Sequence, residues 1–156
     1  MTTLPKRILS LSLLCLLTLI PPAGADETAH FLEKQKLPDG QTVVVAEGDF
    51  EPRSMGSYSV RLYAKNDEFP TDQFLSGVII ERDGAIEAVS LEDIDGNAAP
   101  EVIVKVRSAG TGGYQSGAAF TAAGGKLVMV AKVADLEKDA DVTAALKDAL
   151  SKSEQK

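Results

Sequence analysis

The sequence predicts a mainly β protein, an antiparallel β-sandwich of about eight strands with a short C-terminal amphipathic helix. Short segments of alternating apolar and polar residues recur along the chain, and turn-forming combinations of Pro, Asp and Gly separate several of them. Near the C-terminus the apolar spacing changes from every second residue to every third or fourth, which is the period of a helix. No internal repeat or linker divides the chain, so one folded domain is expected.

Residues 1–25 are interpreted as a cleavable secretory signal peptide and not as part of the fold. Lys6 and Arg7 form a basic start, an apolar run follows, and small residues precede a cleavage point after Ala25. The run is shorter than the roughly 20 residues that a membrane span needs. We therefore expect an exported, periplasmic protein whose single domain comprises residues 26–156.

The exported chain is expected to be acidic and free of thiols. The whole sequence carries a formal net charge of −7, and loss of Lys6 and Arg7 with no acidic residue would bring it to −9. This charge disfavours nucleic acids and anionic membranes as partners and permits attraction to a cationic protein. Cys15 is the one cysteine and lies in the predicted signal peptide, so no disulfide or thiolate metal site is expected.

The first two predicted strands, Phe31–Lys36 and Thr42–Glu47, form a hairpin. They flank Pro38-Asp39-Gly40, a combination that is typical of tight turns. A third strand, Ser57–Ala64, follows a loop and alternates clearly. One face carries Tyr58, Val60 and Leu62, and the other carries Ser59, Arg61 and Tyr63.

A second hairpin is predicted at Asp83-Gly84, because Asp-Gly is a strong hairpin signal. Its strands would be Phe74–Glu81 and Ala85–Leu91. After a polar loop, the predicted strand Glu101–Arg107 alternates again. Val102, Val104 and Val106 lie on one face, and Ile103, Lys105 and Arg107 lie on the other.

The last two predicted strands, Gln115–Ala122 and Lys126–Val133, flank the turn signal Gly124-Gly125. Beyond them Asp141 is a suitable N-cap for a helix. We expect this helix to pack on a sheet or at a sheet edge. Its apolar face consists of Val142, Ala145, Leu146, Ala149 and Leu150.

The segment Ser108–Tyr114, here named the finger loop, is longer than the two to five residues that hairpin connections usually need. Its glycines accept unusual backbone angles and leave the backbone open to close approach. A phosphate-binding loop is excluded because a strand, and not a helix, is predicted to follow. The loop suits insertion into a cleft of another molecule, and a plain connection is the alternative. Its glycines are Gly110, Gly112 and Gly113, and its hydroxyls belong to Ser108, Thr111 and Tyr114.

The run Arg107–Tyr114, followed by Ala119-Phe120, resembles the hallmark segment of the periplasmic inhibitors of invertebrate-type (i-type) lysozyme. Tyr58–Tyr63 and Arg82-Asp83-Gly84 are similar to other parts of that family, over roughly residues 31–133. Family members usually carry Ser where this chain has Thr111. The resemblance implies a β-sandwich that binds a lysozyme and has no enzymatic activity or cofactor.

The resemblance also implies how inhibition works. A lysozyme cleaves a glycosidic bond with two carboxyl groups in a cleft. Thr111 and Tyr114 would contact these groups, while Gly112 and Gly113 would keep the approach free of side chains. An inhibitor of this shape directed at another lysozyme type is a close alternative. A homodimer that covers a sheet edge also stays open.

A second candidate site is the segment from Asp93 to Glu101. Asp93, Asp95 and Asn97 place oxygen ligands at alternate positions, with Glu101 further on, as calcium loops do. The glycine comes earlier than in an EF-hand, and a strand is predicted to follow. An Asx-type turn is the simpler interpretation. The alternative function would be a calcium-dependent adhesion or carbohydrate-binding module.

An enzymatic function is disfavoured by the scarcity of nucleophiles and bases. The predicted exported chain has no cysteine and one histidine, His30, so a catalytic Ser-His or Cys-His pair is not expected. Arg61 and Arg107 lie on predicted strands, where we expect them to pair with acidic residues of neighbouring strands. The alternative is that they border the binding surface.

Overall fold

The computed structural model describes residues 30–154, and within this range it contains eight β-strands and one α-helix. The fold class predicted from the sequence is therefore confirmed. The elements are β1 (Leu32–Lys36), β2 (Thr42–Glu47), β3 (Met55–Tyr63), β4 (Phe74–Asp83), β5 (Ala85–Glu92), β6 (Glu101–Arg107), β7 (Gln115–Ala123), β8 (Lys126–Leu136) and α1 (Val142–Glu154).

The strands form two antiparallel four-stranded sheets. The first sheet has the order β1-β2-β3-β4 and the second has the order β5-β6-β7-β8. Each strand pairs with its neighbour in the sequence, so each sheet is a meander joined by local connections. Only the step from β4 to β5 carries the chain from one sheet to the other.

The main apolar core lies between the two sheets. Tyr58, Val60 and Leu62 of β3 point inward and are at most 3 % exposed. They share one cluster with Val104 of β6 and Phe120 of β7 from the second sheet. The predicted alternation of β3 is thus correct, because its apolar face is the one removed from water.

Helix α1 covers the outer face of the second sheet. Val142, Leu146 and Leu150 pack with Ile103 of β6 and Ala119 of β7 in a second apolar cluster. Ile103 was predicted to lie on the same face of β6 as Lys105 and Arg107, and it is fully buried on that face because α1 lies over it. Both faces of β6 are therefore apolar along its central part.

The start of α1 follows the predicted capping. Asp141 Oδ1 accepts a hydrogen bond from the N–H of Ala144 at 3.0 Å, which satisfies one of the free donors of the first turn. Gly117 of β7 lies directly beneath this turn. A Cβ at position 117 would overlap Cγ1 of Val142 and would lie 3.4 Å from Cδ1 of Leu146. The close approach of helix and sheet therefore requires glycine at 117.

Two of the three predicted hairpins are confirmed. Gly40, with a φ of 89°, lies in the turn between β1 and β2. Gly124 and Gly125, with φ values of 59° and 75°, connect β7 to β8. Two successive left-handed residues are what a two-residue hairpin turn of type I′ demands.

The predicted hairpin at Asp83-Gly84 is wrong. β4 is an edge strand of the first sheet and β5 is an edge strand of the second, and the two are not neighbours in either sheet. Gly84, with a φ of 112°, instead turns the chain from one sheet to the other. The Asp-Gly pair predicted a sharp bend correctly, but a bend of this kind also serves as a corner between sheets.

The predicted signal peptide, residues 1–25, lies outside the described part of the chain, and cleavage after Ala25 stays a prediction. Within residues 30–154, no helix is both long enough and apolar enough to cross a membrane.

Candidate functional site

The finger loop leaves the end of the second sheet between β6 and β7. A hydrogen bond from the N–H of Ser108 to the carbonyl oxygen of Tyr114, at 2.8 Å, closes its neck. Beyond the neck, residues 109–112 are exposed to solvent. All six predicted site residues therefore lie in one loop, whose two ends are joined by a hydrogen bond and whose tip is exposed to solvent.

A turn inside the loop shapes its tip. The N–H of Gly113 donates to the carbonyl oxygen of Gly110 at 3.2 Å, and the N–H of Gly110 donates to Oγ of Ser108 at 3.2 Å. Gly113 has a φ of 62°, in the left-handed region that favours glycine. Thr111 and Gly112 are therefore the two central residues of a tight turn.

The ring of Tyr114 lies beside this tip and is partly open to solvent, with 46 % of the residue exposed. A Cβ on Gly112 would overlap the ring edge and would lie 2.8 Å from Cδ2. Any side chain at position 112 would have to displace the ring. Gly112 therefore allows the aromatic ring to lie against the loop backbone, next to Thr111.

Arg107, the last residue of β6, braces the loop from one side. Its Nε and Nη2 donate to Oε1 of Glu87 on β5 at 2.9 and 2.6 Å. Its Nη1 donates to the carbonyl oxygen of Gly113 at 3.2 Å. The expected pairing of Arg107 with an acidic residue of a neighbouring strand is confirmed. Its contact with Gly113 was not predicted, because only the folded loop brings that carbonyl within reach.

Arg61 does not behave in the same way. Among residues 30–154, no carboxylate forms an ion pair with its guanidinium, and its buried Nε has no hydrogen-bond partner. The expectation of a cross-strand ion pair at Arg61 is therefore not met within the described residues.

A shallow hollow adjoins the finger loop. It is lined by Tyr114 and Ser108 of the loop, Ser116 of β7, and the carboxylate residues Asp83 and Asp135. Both acidic residues are exposed. The surface beside the loop therefore carries negative charge, in keeping with the overall charge of the protein.

In the second candidate site, the loop from Asp93 to Glu101, backbone N–H groups donate hydrogen bonds to the aspartate carboxylates. Asp93 accepts hydrogen bonds from the N–H of Gly96 at 2.7 Å and of Ala98 at 3.0 Å. The bond from Gly96 is the main reason why the pKa of Asp93 is lowered. Asp95 accepts from the N–H of Asn97 at 2.9 Å. These bonds are those of Asx-type turns.

Glu101, the last residue of the candidate site and the first of β6, is buried in the protein interior. Its carboxylate, which is 1 % exposed, accepts from the N–H of Ile94 at 3.0 Å and from Oγ1 of Thr121 at 3.4 Å. One oxygen each of Asp93, Asp95 and Glu101 nevertheless lie within 4.8 Å of one another. The structure thus brings together three of the four proposed ligands. The amide oxygen of Asn97 instead accepts from the N–H of Ala99 at 2.7 Å.

Comparison with known proteins places the chain in a family. A family model described as the periplasmic lysozyme inhibitor of I-type lysozyme matches residues 29–150. A search of curated proteins found no match. Two crystal structures of the inhibitor PliI from Aeromonas hydrophila are similar to this chain.

One of these structures, described as a periplasmic lysozyme inhibitor of I-type lysozyme, is 45 % identical and has a TM-score of 0.72. The match covers 74 % of this chain and 98 % of the other. The second structure is a complex of PliI with Meretrix lusoria lysozyme, with 47 % identity and a TM-score of 0.71. That match covers 75 % of this chain and 95 % of the other. The chain therefore belongs to the family of periplasmic lysozyme inhibitors of I-type lysozyme.

Proposed function

We propose that this protein binds and inhibits an I-type lysozyme in the periplasm by inserting the finger loop into the enzyme's active-site cleft. Family membership supports the inhibitory function. The complex of the A. hydrophila inhibitor with Meretrix lusoria lysozyme supports the class of partner. Because the family consists of inhibitors, we assign no catalytic residue to this chain.

The single observation that supports the loop as the inserted element is its combination of an exposed tip and a tied neck. Residues 109–112 are exposed, while Ser108 and Tyr114 are hydrogen-bonded to each other. A loop whose neck is already fixed by a hydrogen bond loses less conformational entropy on binding than an unrestrained loop. Such a loop is suited to enter a narrow cleft without first having to become ordered.

The chemistry of the tip suits a pair of carboxyl groups. In a lysozyme cleft one carboxyl group is protonated and the other is ionised. The hydroxyls of Thr111 and Tyr114 can each donate to an ionised carboxylate or accept from a protonated one. Gly112, which carries no side chain, lets the ring of Tyr114 lie against the loop backbone, so that the two hydroxyl-bearing residues are close to each other. The loop would exclude the sugar substrate by occupying the position of the scissile bond.

Charge supports the encounter with the enzyme. The proposed exported chain has a net charge of −9, and Asp83 and Asp135 add local negative charge beside Tyr114. Lysozymes are often cationic, so opposite charges would increase the association rate. Weaker inhibition at high salt is the expected consequence, because salt screens exposed charges.

We further propose that export removes residues 1–25 and leaves one domain of residues 26–156. The family is periplasmic, which agrees with an exported chain. Mass spectrometry of the protein purified from the periplasm would give an N-terminus at Asp26. Any other N-terminus would contradict cleavage after Ala25.

The direct test of the proposed function is a peptidoglycan-lysis assay. The purified protein is titrated against invertebrate-, chicken- and goose-type lysozymes, with and without a chelator. We expect inhibition of the invertebrate type, unaffected by the chelator. Inhibition of only another type would redirect the proposal to that type, and no inhibition of any type would refute it.

Tyr114→Ala tests the loop itself. If Tyr114 is an interface hot spot, its removal weakens inhibition by about 2 kcal/mol, or roughly 30-fold. Phe69→Ala is the matched control, because Phe69 is also partly exposed, at 53 %, but lies far from the finger loop. It belongs to the β3–β4 connection, at the end of the first sheet opposite to Gly84. Equal inhibition by both variants would exclude the finger loop as the anchor.

The alternative is a calcium-dependent adhesion or carbohydrate-binding module built on Asp93–Glu101. One observation favours it, namely the convergence of carboxylate oxygens from Asp93, Asp95 and Glu101 within 4.8 Å. Such a module would require the metal, whereas occlusion by a loop does not. The chelator arm of the lysis assay therefore separates the two functions.

A further inference from the structure

The corner between the two sheets lies directly against the root of the finger loop. A Cβ on Gly84 would overlap the carbonyl oxygen of Arg107, and it would lie 2.6 Å from the carbonyl carbon of Arg107 and 2.7 Å from Cα of Ser108. These are backbone atoms, so they cannot rotate away as the end of a side chain can. Ala85, the next residue, is the β-ladder partner of Arg107. The corner and the first residues of the loop therefore share one tightly packed position.

A buried guanidinium holds the corner in place. The side chain of Arg82 is fully buried. Its Nε donates to the carbonyl oxygen of Ser57 at 3.1 Å, and its Nη2 donates to that of Pro52 at 3.1 Å. Its Nη1 donates to the carbonyl oxygens of Arg53, at 2.9 Å, and of Gly84. One side chain thus joins the β2–β3 connection to the backbone of Gly84.

A buried carboxylate holds the other side of the corner. Glu47, whose side chain is also fully buried, lies with Oε1 3.8 Å from Nε of Arg82. The same Oε1 accepts from the N–H of Ile86 at 2.8 Å, and Oε2 accepts from the N–H of Phe31 at 3.1 Å. A buried pair with these additional hydrogen bonds is strongly destabilising to break on one side. The backbone is therefore fixed both at Gly84 and two residues later at Ile86.

We infer that Glu47, Arg82 and Gly84 are positioning residues of the finger loop. They fix the corner, and the corner fixes the backbone of Arg107 and Ser108, from which the loop projects. A shift at Arg107 would also move its guanidinium, which holds the carbonyl of Gly113. The expected effect on inhibition depends on the proposed function, but the effect on loop conformation can be measured without any lysozyme.

The test compares Gly84→Ala with Gly40→Ala in the exported protein, purified from the periplasm and labelled with ¹⁵N-glycine. Gly40 is the matched control, because it also has a positive φ, 89°, and lies in the β1–β2 turn, at the opposite end of the first sheet. The atoms nearest to a Cβ at position 40 belong to the flexible side chain of Lys65. Both variants therefore carry backbone strain, but only one of them disturbs the root of the loop.

We expect Gly84→Ala to shift the amide signals of Gly110, Gly112 and Gly113, and Gly40→Ala to leave them in place. In the lysis assay, at a temperature where both variants are folded, Gly84→Ala should inhibit at least about tenfold more weakly than Gly40→Ala, since a displaced loop loses contacts at the centre of the interface. A loss explained by stability alone would instead follow the melting temperatures of the two variants.

Unchanged loop signals in folded Gly84→Ala would overturn the inference, whatever the lysozyme assay shows. Shifted signals combined with a wild-type protein that inhibits nothing would refute the proposed function and leave the positioning role intact. If Gly84→Ala does not fold, Glu47→Gln replaces it. Gln can still accept from the N–H of Ile86 but lacks the charge opposite Arg82. For Glu47→Gln we expect the amide signals of Gly110, Gly112 and Gly113 to shift less than we expect for Gly84→Ala. Unshifted signals in this variant would contradict the inference.

Discussion

Nη1 of Arg107 donates a hydrogen bond to the carbonyl oxygen of Gly113 at 3.2 Å, so the last residue of β6 holds the backbone immediately before Tyr114. The same guanidinium is bound to Glu87 of β5. One side chain therefore connects two strands of the second sheet to the far side of the finger loop. Such a connection restricts the position of Tyr114 before any partner is bound.

Arg107→Lys should weaken inhibition with little change in stability. Lysine can still pair with Glu87, but its single ammonium group cannot at the same time donate the hydrogen bond to the carbonyl oxygen of Gly113. We expect inhibition to fall by about 1 kcal/mol, or roughly fivefold, as for one lost hydrogen bond. The inhibition constant and the melting temperature would be measured together.

Glu87→Gln is the control for this prediction, because it removes the charge pair and keeps the bond from Arg107 to Gly113. An exposed ion pair contributes little, about 0–1 kcal/mol. We expect this variant to inhibit more strongly than Arg107→Lys. The reverse order would show that the ion pair, and not the bond to the loop, matters for inhibition.

Thr111 is the position at which the resemblance of the finger loop to the family implies a serine. The side chain lies at the exposed tip of the turn, where an additional methyl group would enter the cleft first. We expect Thr111→Ser to inhibit more tightly than the wild type. We expect Thr111→Ala to lose about 1 kcal/mol, less than Tyr114→Ala, since it removes one hydroxyl. Weaker inhibition by the serine variant would mean that the methyl group makes a favourable contact.

Gly117→Ala should destabilise the fold by displacing α1. The added Cβ would overlap Cγ1 of Val142, a residue of α1 that is buried against the second sheet. Overpacking of a buried contact costs about 1–3 kcal/mol. Gly110→Ala is the control, because a Cβ there would meet only Oγ of Ser108, at 3.5 Å. Denaturant unfolding should show a clear loss for Gly117→Ala only, and equal stability of the two variants would contradict the packing described.

Glu51 should make stability depend on pH. Its pKa is lowered from 4.5, first by the hydrogen bond from the N–H of Ser57, then by that from the Ser57 hydroxyl, with smaller contributions from the charges of Arg82 and His30. The folded state thus binds this proton more weakly than the unfolded state. The stabilisation is complete above pH 4.5 and is lost as the pH falls through the lowered folded value.

The measurement is the difference in melting temperature between the wild type and Glu51→Gln from pH 7 to pH 3. We expect the difference in melting temperature to be largest at pH 7 and to shrink below pH 4.5. Glu137→Gln, at an exposed position, controls for the change in net charge. A difference that stays constant or grows with acid would contradict the assigned role of Glu51.

Calcium should have no effect on the purified protein. Both oxygens of Asp93 already accept backbone hydrogen bonds, from Gly96 and Ala98, and would have to exchange them for the metal. Calorimetric titration should therefore show no binding heat, and the melting temperature should not rise. A saturable heat that Asp93→Asn abolishes would contradict this expectation and favour the alternative function.

Local patterns in the sequence predicted most of the fold. Alternation showed which face of β3 is buried, and Gly124-Gly125 identified a hairpin, because neighbouring residues alone decide these features. Asp141 likewise marked the start of α1. The resemblance of the run from Arg107 to Tyr114 indicated the family, and the comparisons confirmed that family.

Tertiary packing decided the rest. Ile103 is buried only because α1 lies over the second sheet, and Asp83-Gly84 forms a corner only because β5 pairs with β6 and not with β4. The bond from Arg107 to Gly113 exists only in the folded loop. The sequence by itself determined the bends, the buried faces of most strands and the likeness of the finger loop to a known family. Which elements meet depends on contacts between distant residues, whose energies add up over the whole core and are not encoded in any short segment.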